Sequence, residues 1–400
     1  MAAAKQIAVF GSTGSIGVNA LDVIASSGSA NGTSGNSPGG SGQQLAAIAL
    51  SAHSQCDLLL KQAQQHRPRW VIVTDPAAAK QFDWQYLPVD CELLIGPEAL
   101  NQIAAERDVD VVLAAIVGSA GLESTWSALA NGKTVALANK ETLVMAGELI
   151  MQLAEKNGGK IVPVDSEHSA LFQALHAGKP SEVEKLIITG SGGPFRHTTP
   201  MELQQVTVAE ALNHPTWNMG PKNTVDSATL MNKALEIIEA RWLFDVPAEK
   251  ISVAIHPQSV VHSMVEFIDG SILAQLSPPD MRMPIQYALN YPDRVPGVAK
   301  RLDWTQAFQL EFEPPNPERF PALQLGADCA AKGGTCGAVL SAANEAAVGG
   351  FLEGELHFTE IVPACRSILG AHNFEPNPSL ETLVELDRWS REEVSRWVCA

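Results

Sequence analysis

Along the first 164 residues, short apolar runs alternate with segments of helical periodicity. The runs fall at 6–10, 45–50, 70–74, 109–117, 134–138 and 160–164, and Val18, Leu21 and Ile24 recur on one face of the helix expected after the first of them. That alternation predicts a parallel sheet with helices on its faces. Beyond residue 164 the texture changes. VVHSMVEFIDGSILAQL reads as a hairpin turning at Asp269-Gly270, since Asp-Gly between two alternating runs suits a tight turn. Residues 291–321 are Pro-rich and weakly periodic, and the remainder is helical, with a capping-box pattern from Ser390 to Glu393. The expected fold class is therefore α/β: a Rossmann-like parallel sheet domain over 1–164, a central α+β domain over 165–290, a linker over 291–321 and a C-terminal α-helical domain over 322–400.

Composition trims this picture without redirecting it. The stretch SSGSANGTSGNSPGGSGQQ, after the first helix, is too rich in Gly and Ser to form a core and reads as a flexible surface loop. No apolar run is long enough for a membrane helix, and the opening MAAAKQIAVFG lacks the pattern of a secretory signal, so a cytoplasmic location is expected. A formal net charge of -17 disfavours nucleic acid and anionic membranes as partners. The six cysteines, Cys56, Cys91, Cys329, Cys336, Cys365 and Cys399, form no C-x-x-C pair and read as small buried hydrophobes.

The first chemical signal is GSTGSIG, following the first strand and opening a helix. Glycines at such a turn let a pyrophosphate approach the helix N-terminus, where free N–H groups favour negative charge. Gly11, Ser12, Thr13, Gly14, Ser15 and Ile16 are thus the candidate dinucleotide cradle, with a plain glycine-rich turn as the alternative. The second strand ends in AIALSAHSQ, without the acid that usually meets an NAD ribose. Ser51, His53 and Ser54 could instead donate hydrogen bonds to a 2′-phosphate, which favours NADP.

Ligands of open parallel sheets sit beyond the carboxyl ends of the strands. Two such ends deliver Asn139, Lys140 and Glu141, and Asp165, Ser166 and Glu167. In extended backbone, Asp165 and Glu167 would point to one side and repel. A shared proton, a salt bridge or a hard divalent cation such as Mg2+ or Mn2+ would each resolve the conflict, and a solvated acidic turn remains the bland alternative. VDSATLMNKALE reads as a helix starting near Ser227, with Asn232, Lys233 and Glu236 crowded on one face. ITGSGGPF ends a strand in glycines that can present N–H groups to a phosphate. NHPTWNMGP has the composition of a lid that closes on a ligand and excludes water.

Taken in order, GSTGSIG, AAIVGSAGL, LANKETL, PVDSEH, TGSGGPF, NHPTWNMG, TVDSATLMNKALE and IHPQSVVHSM resemble the 1-deoxy-D-xylulose 5-phosphate reductoisomerase family over nearly the whole chain. The resemblance implies rearrangement of that phosphorylated ketose and its NADPH-dependent reduction to 2-C-methyl-D-erythritol 4-phosphate, in the methylerythritol phosphate route to isoprenoids. It implies a homodimer, with the hairpin near 261–276 contributing to the interface. It also implies Mg2+ or Mn2+, with Co2+ as a further option, held by Asp165, Glu167 and Glu236.

Lys140, Glu167 and Asp165 then fall on catalytic positions, and Ser166 falls against the substrate oxygens. Ser191, Ser227, Asn232 and Lys233 match phosphate-binding positions, His214 lines the site, and Trp217 is the lid aromatic. Asn139, Glu141, Met219 and Gly220 fall on the cofactor side with His53 and Ser54. The sequence departs from the family pattern at Ala52-His53-Ser54, where a Gly-Lys/Arg-Asn turn is usual, and in the Gly/Ser insert. Two other readings compete: a catalytically silent NADP-binding regulator, and another metal-dependent NADP dehydrogenase such as an oxidative decarboxylase. Retention of Asp165, Glu167, Glu236 and Lys140 speaks against the first, and the phosphate pocket against the second.

Overall fold

The computed structural model describes residues 3–27, 43–217 and 219–398. The Gly/Ser stretch from 28 to 42 and Cys399 lie outside the described residues. Chain contacts divide the molecule into two compact units.

Unit 1 comprises Met1–Asn139, Ile150–Ser169 and Asp280–Lys300. Its seven strands are β1 (Lys5–Phe10), β2 (Leu45–Ala52), β3 (Trp70–Val73), β4 (Glu92–Ile95), β5 (Val111–Ala114), β6 (Thr134–Leu137) and β7 (Lys160–Pro163). They lie in the order β4-β3-β2-β1-β5-β6-β7, and every pairing is parallel. Ile7, Ala8, Val9 and Phe10 of the central strand are all fully buried. Such uninterrupted apolar runs follow from helices covering both faces of the sheet.

All six expected strands are present. β4 was not expected, because ELLI sits at the sheet edge and has only three apolar residues, with both ends exposed and the two leucines half-buried. The Asp280–Lys300 segment belongs to this unit because the Arg282–Asn290 helix packs on the Ser15–Ser27 helix, β6 and β7. Lys5 Nζ caps the arrangement by donating to the Leu289 carbonyl at 2.8 Å.

Unit 2 comprises Lys140–Leu149, Ala170–Pro279 and Arg301–Ala400. Its sheet contains β8 (Val183–Gly190), β9 (Ile251–Ile255), β10 (Val261–Phe267) and β11 (Ile272–Leu276), in the order β11-β10-β8-β9. The hairpin turns at Asp269-Gly270: Asp269 Oδ1 accepts from the Ser271 N–H at 2.9 Å and Gly270 has a φ of 83°, a conformation glycine adopts without cost. Residues 291–321 contain no helix or strand beyond the isolated Ile255–Glu313 bridge.

Helices Ala322–Lys332, Cys336–Glu353, Ile361–Ala371 and Leu380–Val398 form the helical part of the unit. The Cys336–Glu353 helix is apolar nearly all round and lies in the core with Leu235, Ile238 and Ile361. The expected capping box at Ser390 is not a helix start. Ser390 lies inside Leu380–Val398 and donates back to the Leu386 carbonyl at 2.7 Å, whereas Ser379 Oγ accepts from the Thr382 N–H. A serine three residues before a glutamate bonds its own helix when the apolar stripe continues upstream of it. The five described cysteines are free, and all but Cys91 are buried. Among the described residues no helix is long and apolar enough to cross a membrane.

Candidate active site

The glycine turn follows β1, at the point where strand order reverses. Gly11 has a φ of 83°, and a Cβ on it would lie 2.6 Å from the Ala115 carbonyl oxygen. A Cβ on Gly17 would lie 2.3 Å from the Gly11 oxygen, so these two glycines are demanded by the turn itself. Gly14 is exposed and its Cβ would meet only the Gly11 oxygen, at 3.4 Å. Space therefore remains at Gly14, beside exposed Ser15, and the first N–H groups of the Ser15–Ser27 helix lack intrahelical acceptors.

Ser12 is fully buried and donates to Gln62 Oε1 at 2.7 Å, which braces the turn. Ser51, expected to face a 2′-phosphate, is only 1% exposed, and its Oγ accepts from the Gly11 N–H at 2.9 Å, so burial against the turn takes it away from the surface where His53 and Ser54 lie. His53 and Ser54 remain exposed beyond β2, with His53 Nδ1 3.0 Å from Thr74 Oγ1. Asn139 spends its amide on the Ile116 and Gly118 carbonyls, tying the end of β6 to the loop after β5.

The acidic stretch differs from its expected form. β7 ends at Pro163, and Ser166–Leu175 is a helix with Glu167 in its first turn. Asp165 and Glu167 are thus not alternate residues of a strand: the Ser169 N–H reaches back to the Asp165 carbonyl, so the chain turns helical immediately after Asp165. Ser166 Oγ donates to Glu167 Oε2 at 2.5 Å. His168, which sequence reasoning passed over, is fully buried with Nδ1 3.9 Å from Asp165 Oδ1. Its signal was the i,i+3 spacing that becomes meaningful only on a helix.

In unit 2, Glu236 is fully buried and surrounded by donors. Lys140 Nζ lies 3.0 Å from Oε1 and 2.9 Å from Asn232 Oδ1, Lys233 Nζ lies 2.6 Å from Oε2, and Asn232 Nδ2 also donates to Oε1. A buried carboxylate needs such compensation. Gly190 makes room for it, since a Cβ there would lie 2.9 Å from Lys233 Cε. The single helix expected to start near Ser227 is instead two, Pro221–Thr229 and Met231–Leu243, separated by Leu230 at a φ of 56°. Leu230 is 1% exposed and packs with Ile255 and Phe320, and that burial holds a conformation that leucine alone avoids.

His214 links three segments. Its Nδ1 accepts from the Thr216 N–H at 3.1 Å and the Trp217 N–H at 2.8 Å, so in the neutral ring the proton sits on Nε2. Nε2 lies 3.1 Å from Ser191 Oγ and 3.0 Å from Ser227 Oγ. Burial, with the nearby Lys233 charge, lowers the His214 pKa to about 4 and keeps the ring neutral. A ring nitrogen that carries its proton can only donate, and Ser191 Oγ already accepts from the Gly193 N–H at 3.2 Å. Both serine O–H groups therefore remain donors for an acceptor outside the chain.

Gly193 permits the approach: at a φ of 67°, a Cβ there would lie 2.6 Å from the Ser227 oxygen. Trp217 is half-buried, its ring centroid 6.3 Å from that of His262, while Met219 and Gly220 lead into the Pro221–Thr229 helix. A cleft of about 780 Å3 also reaches Ser191 and Pro215, but its remaining walls, among them Phe195, Arg196 and Glu202, carry none of the expected site residues.

Glu141, expected beside the cofactor, is buried and bound to Lys222, a second residue that sequence reasoning missed. Burial opposes ionisation of Glu141, but the Lys222 ammonium outweighs it and holds the carboxyl below its usual range.

A glycine turn at the centre of a parallel sheet, together with a unit whose interior holds two lysines, a carboxylate and donor hydroxyls, defines a dinucleotide-dependent enzyme. Residues 7–147 match the family model for 1-deoxy-D-xylulose 5-phosphate reductoisomerase, and residues 161–244 and 276–393 match two models of its C-terminal region. The chain is similar to 1-deoxy-D-xylulose 5-phosphate reductoisomerases of Trichlorobacter lovleyi (48% identity, covering 99% of this chain and 97% of that one) and Rhodopirellula baltica (47%, 97% and 93%). It superposes on the Zymomonas mobilis enzyme in complex with NADPH with a TM-score of 0.88 at 39% identity, covering 99% of each chain. Superposition on a reductoisomerase in complex with NADPH, fosmidomycin and magnesium gives 0.89 at 37% identity, covering 98% of each. This chain belongs to the 1-deoxy-D-xylulose 5-phosphate reductoisomerase family.

Proposed function

We propose that this chain rearranges 1-deoxy-D-xylulose 5-phosphate and reduces the product with NADPH to 2-C-methyl-D-erythritol 4-phosphate, serving isoprenoid synthesis. One observation carries the reading furthest: Ser191 and Ser227 keep donor hydroxyls around a neutral His214, next to a lysine-rich buried cluster. Two hydroxyl donors beside a buried lysine give a phosphate ester several hydrogen-bond partners at once. Lys233 supplies positive charge beside it, and Asn232 offers an amide.

NADPH supplies the hydride when bound, and the uncovered face at Gly14 with the N–H groups of the following helix fits its pyrophosphate. Exposed His53 and Ser54 are available to its 2′-phosphate. Asp165, Glu167 and Glu236 would hold Mg2+ or Mn2+, and their all-oxygen donor set suits a hard divalent cation. Such an ion supplies Lewis acidity to oxygens of the ketose.

The remaining roles belong to the protein. Lys140 Nζ, held by Glu236 and Asn232, stands as a proton donor or as a fixed positive charge for a developing oxyanion. Ser166 orients Glu167 through their hydrogen bond. Trp217, on the loop whose backbone N–H bonds His214, covers the bound substrate and excludes water. We infer a cytoplasmic homodimer joined through the β10–β11 hairpin.

The test is consumption of NADPH by purified protein with 1-deoxy-D-xylulose 5-phosphate. Turnover should require Mg2+ or Mn2+ and stop with fosmidomycin. Glu236→Gln should weaken metal binding by about 100-fold and lower turnover with it; unchanged manganese affinity would remove Glu236 from the ligand set.

A further inference from the structure

The segment bearing Lys140 has to be held separately from the rest of its helix. The Lys140–Asn157 helix is interrupted at Ala146, whose φ of -136° and ψ of 28° are not helical, and Lys140–Leu149 belongs to unit 2 while Ile150 onward belongs to unit 1. The turn bearing Lys140 lies before this break, so contacts within unit 2 set its orientation. Close packing flanks the break. A Cβ on Gly337 would lie 2.0 Å from the Val144 carbonyl oxygen before it, and one on Gly147 after it would lie 2.3 Å from Trp242 Cδ1.

The polar anchor is Lys222. Its Nζ bonds Glu141 Oε1 and lies 2.9 Å from Asp226 Oδ2, and Asp226 Oδ1 accepts from Asn344 Nδ2 at 2.8 Å. Asp226 and Asn344 are fully buried and Glu141 is 4% exposed. Lys222 is the second residue of the Pro221–Thr229 helix, which continues directly from the Trp217 loop. One ammonium thus joins the residue after Lys140, the end of that loop and the buried Cys336–Glu353 helix.

We propose that Lys222 is a positioning residue, whose ammonium, shared by Glu141 and Asp226, fixes the first turn of the Lys140 helix against the helix that follows the Trp217 loop. The consequence for catalysis rests on the proposed reductoisomerase reading. The mechanical tie does not. Glu141 then acts through Lys222 and Lys140, with its carboxylate spent inside the protein rather than on the cofactor.

Hydrogen–deuterium exchange and steady-state kinetics of the full-length protein test this together. In Lys222→Met, amides 140–145 should exchange at least about tenfold faster while β1 and β5 keep their protection. Its kcat should fall about tenfold or more with KM for the phosphorylated ketose changed by less than about threefold, because the Ser191, Ser227 and Lys233 contacts persist. Lys222→Arg should restore both.

Glu141→Gln is the milder variant should the methionine substitution unfold the chain. It removes the charge from the Lys222–Glu141 contact, leaving a neutral amide oxygen as the weaker acceptor, and keeps the Lys222–Asp226 pair, so faster exchange should be confined to 140–145. Wild-type exchange there in both variants, or acceleration spread through unit 2 that arginine does not reverse, overturns the proposal. If the wild-type protein consumes no NADPH, the proposed function falls, and the exchange data alone still decide the role of Lys222.

Discussion

His214 shows how much chemistry one side chain draws from its neighbours. Two backbone N–H groups fix its tautomer, and burial beside Lys233 lowers its pKa to about 4. In the unfolded chain a histidine titrates near about 6.5. Between those values the unfolded state binds the proton that the folded ring refuses, so stability is full above the upper value and declines as pH falls through the window. His262, also lowered to about 4 by burial, acts in the same direction. His214→Gln should flatten the loss of Tm between pH 6.5 and 4, measured by thermal melts across that range. At neutral pH it should raise KM for the phosphorylated substrate about tenfold, the cost of one charge-assisted hydrogen-bond network disturbed. Asn232, Lys233 and Glu236 were expected together from helical spacing, and Ser191, His214 and Ser227 were named from the family resemblance; the structure brings each of these two groups together. Their protonation and partners were not legible, because these depend on distances between segments far apart in the chain.

At the scale of elements, the strand, turn and helix around Gly11 behave as one unit, and its glycines do different work. Gly17→Ala places a methyl 2.3 Å from the Gly11 oxygen and should destabilise the protein by about 2 kcal/mol or more. Gly14→Ala meets nothing closer than 3.4 Å, so its melting temperature should stay near wild type while NADPH binding weakens at least about tenfold. Calorimetry and NADPH titration of the two variants separate these effects, and equal losses of stability would show that the Gly14 face is not reserved for a ligand. The sequence reading erred where an element had a tertiary cause. VDSATLMNKALE has uninterrupted helical periodicity, yet buried Leu230 breaks it. PVDSEH follows a strand and reads as extended, although a helix starts at Ser166, directly after Asp165.

For the whole molecule, the exposed edge of the unit 2 sheet is the feature with consequences for assembly. β11 pairs with β10 on one side, and Ile268, Ile272 and Leu273 around it are 64%, 53% and 41% exposed. Unprotected apolar edges of this kind invite pairing with a second chain. Ile272→Lys should shift the proposed dimer toward monomer in sedimentation, with dissociation at least about 100-fold easier; an unchanged dimer would place the interface elsewhere. The amino-acid sequence by itself determined the parallel sheet, the hairpin and the residue types of the site, because periodicity, turn glycines and local spacing act over neighbouring residues. Only the tertiary structure decided that Asp280–Lys300 joins the first unit, that Glu141 belongs to Lys222, and that Ser51 serves the glycine turn. Those outcomes arise from burial, where each polar group must take whichever partner lies within reach, and reach across the fold is not written in local pattern.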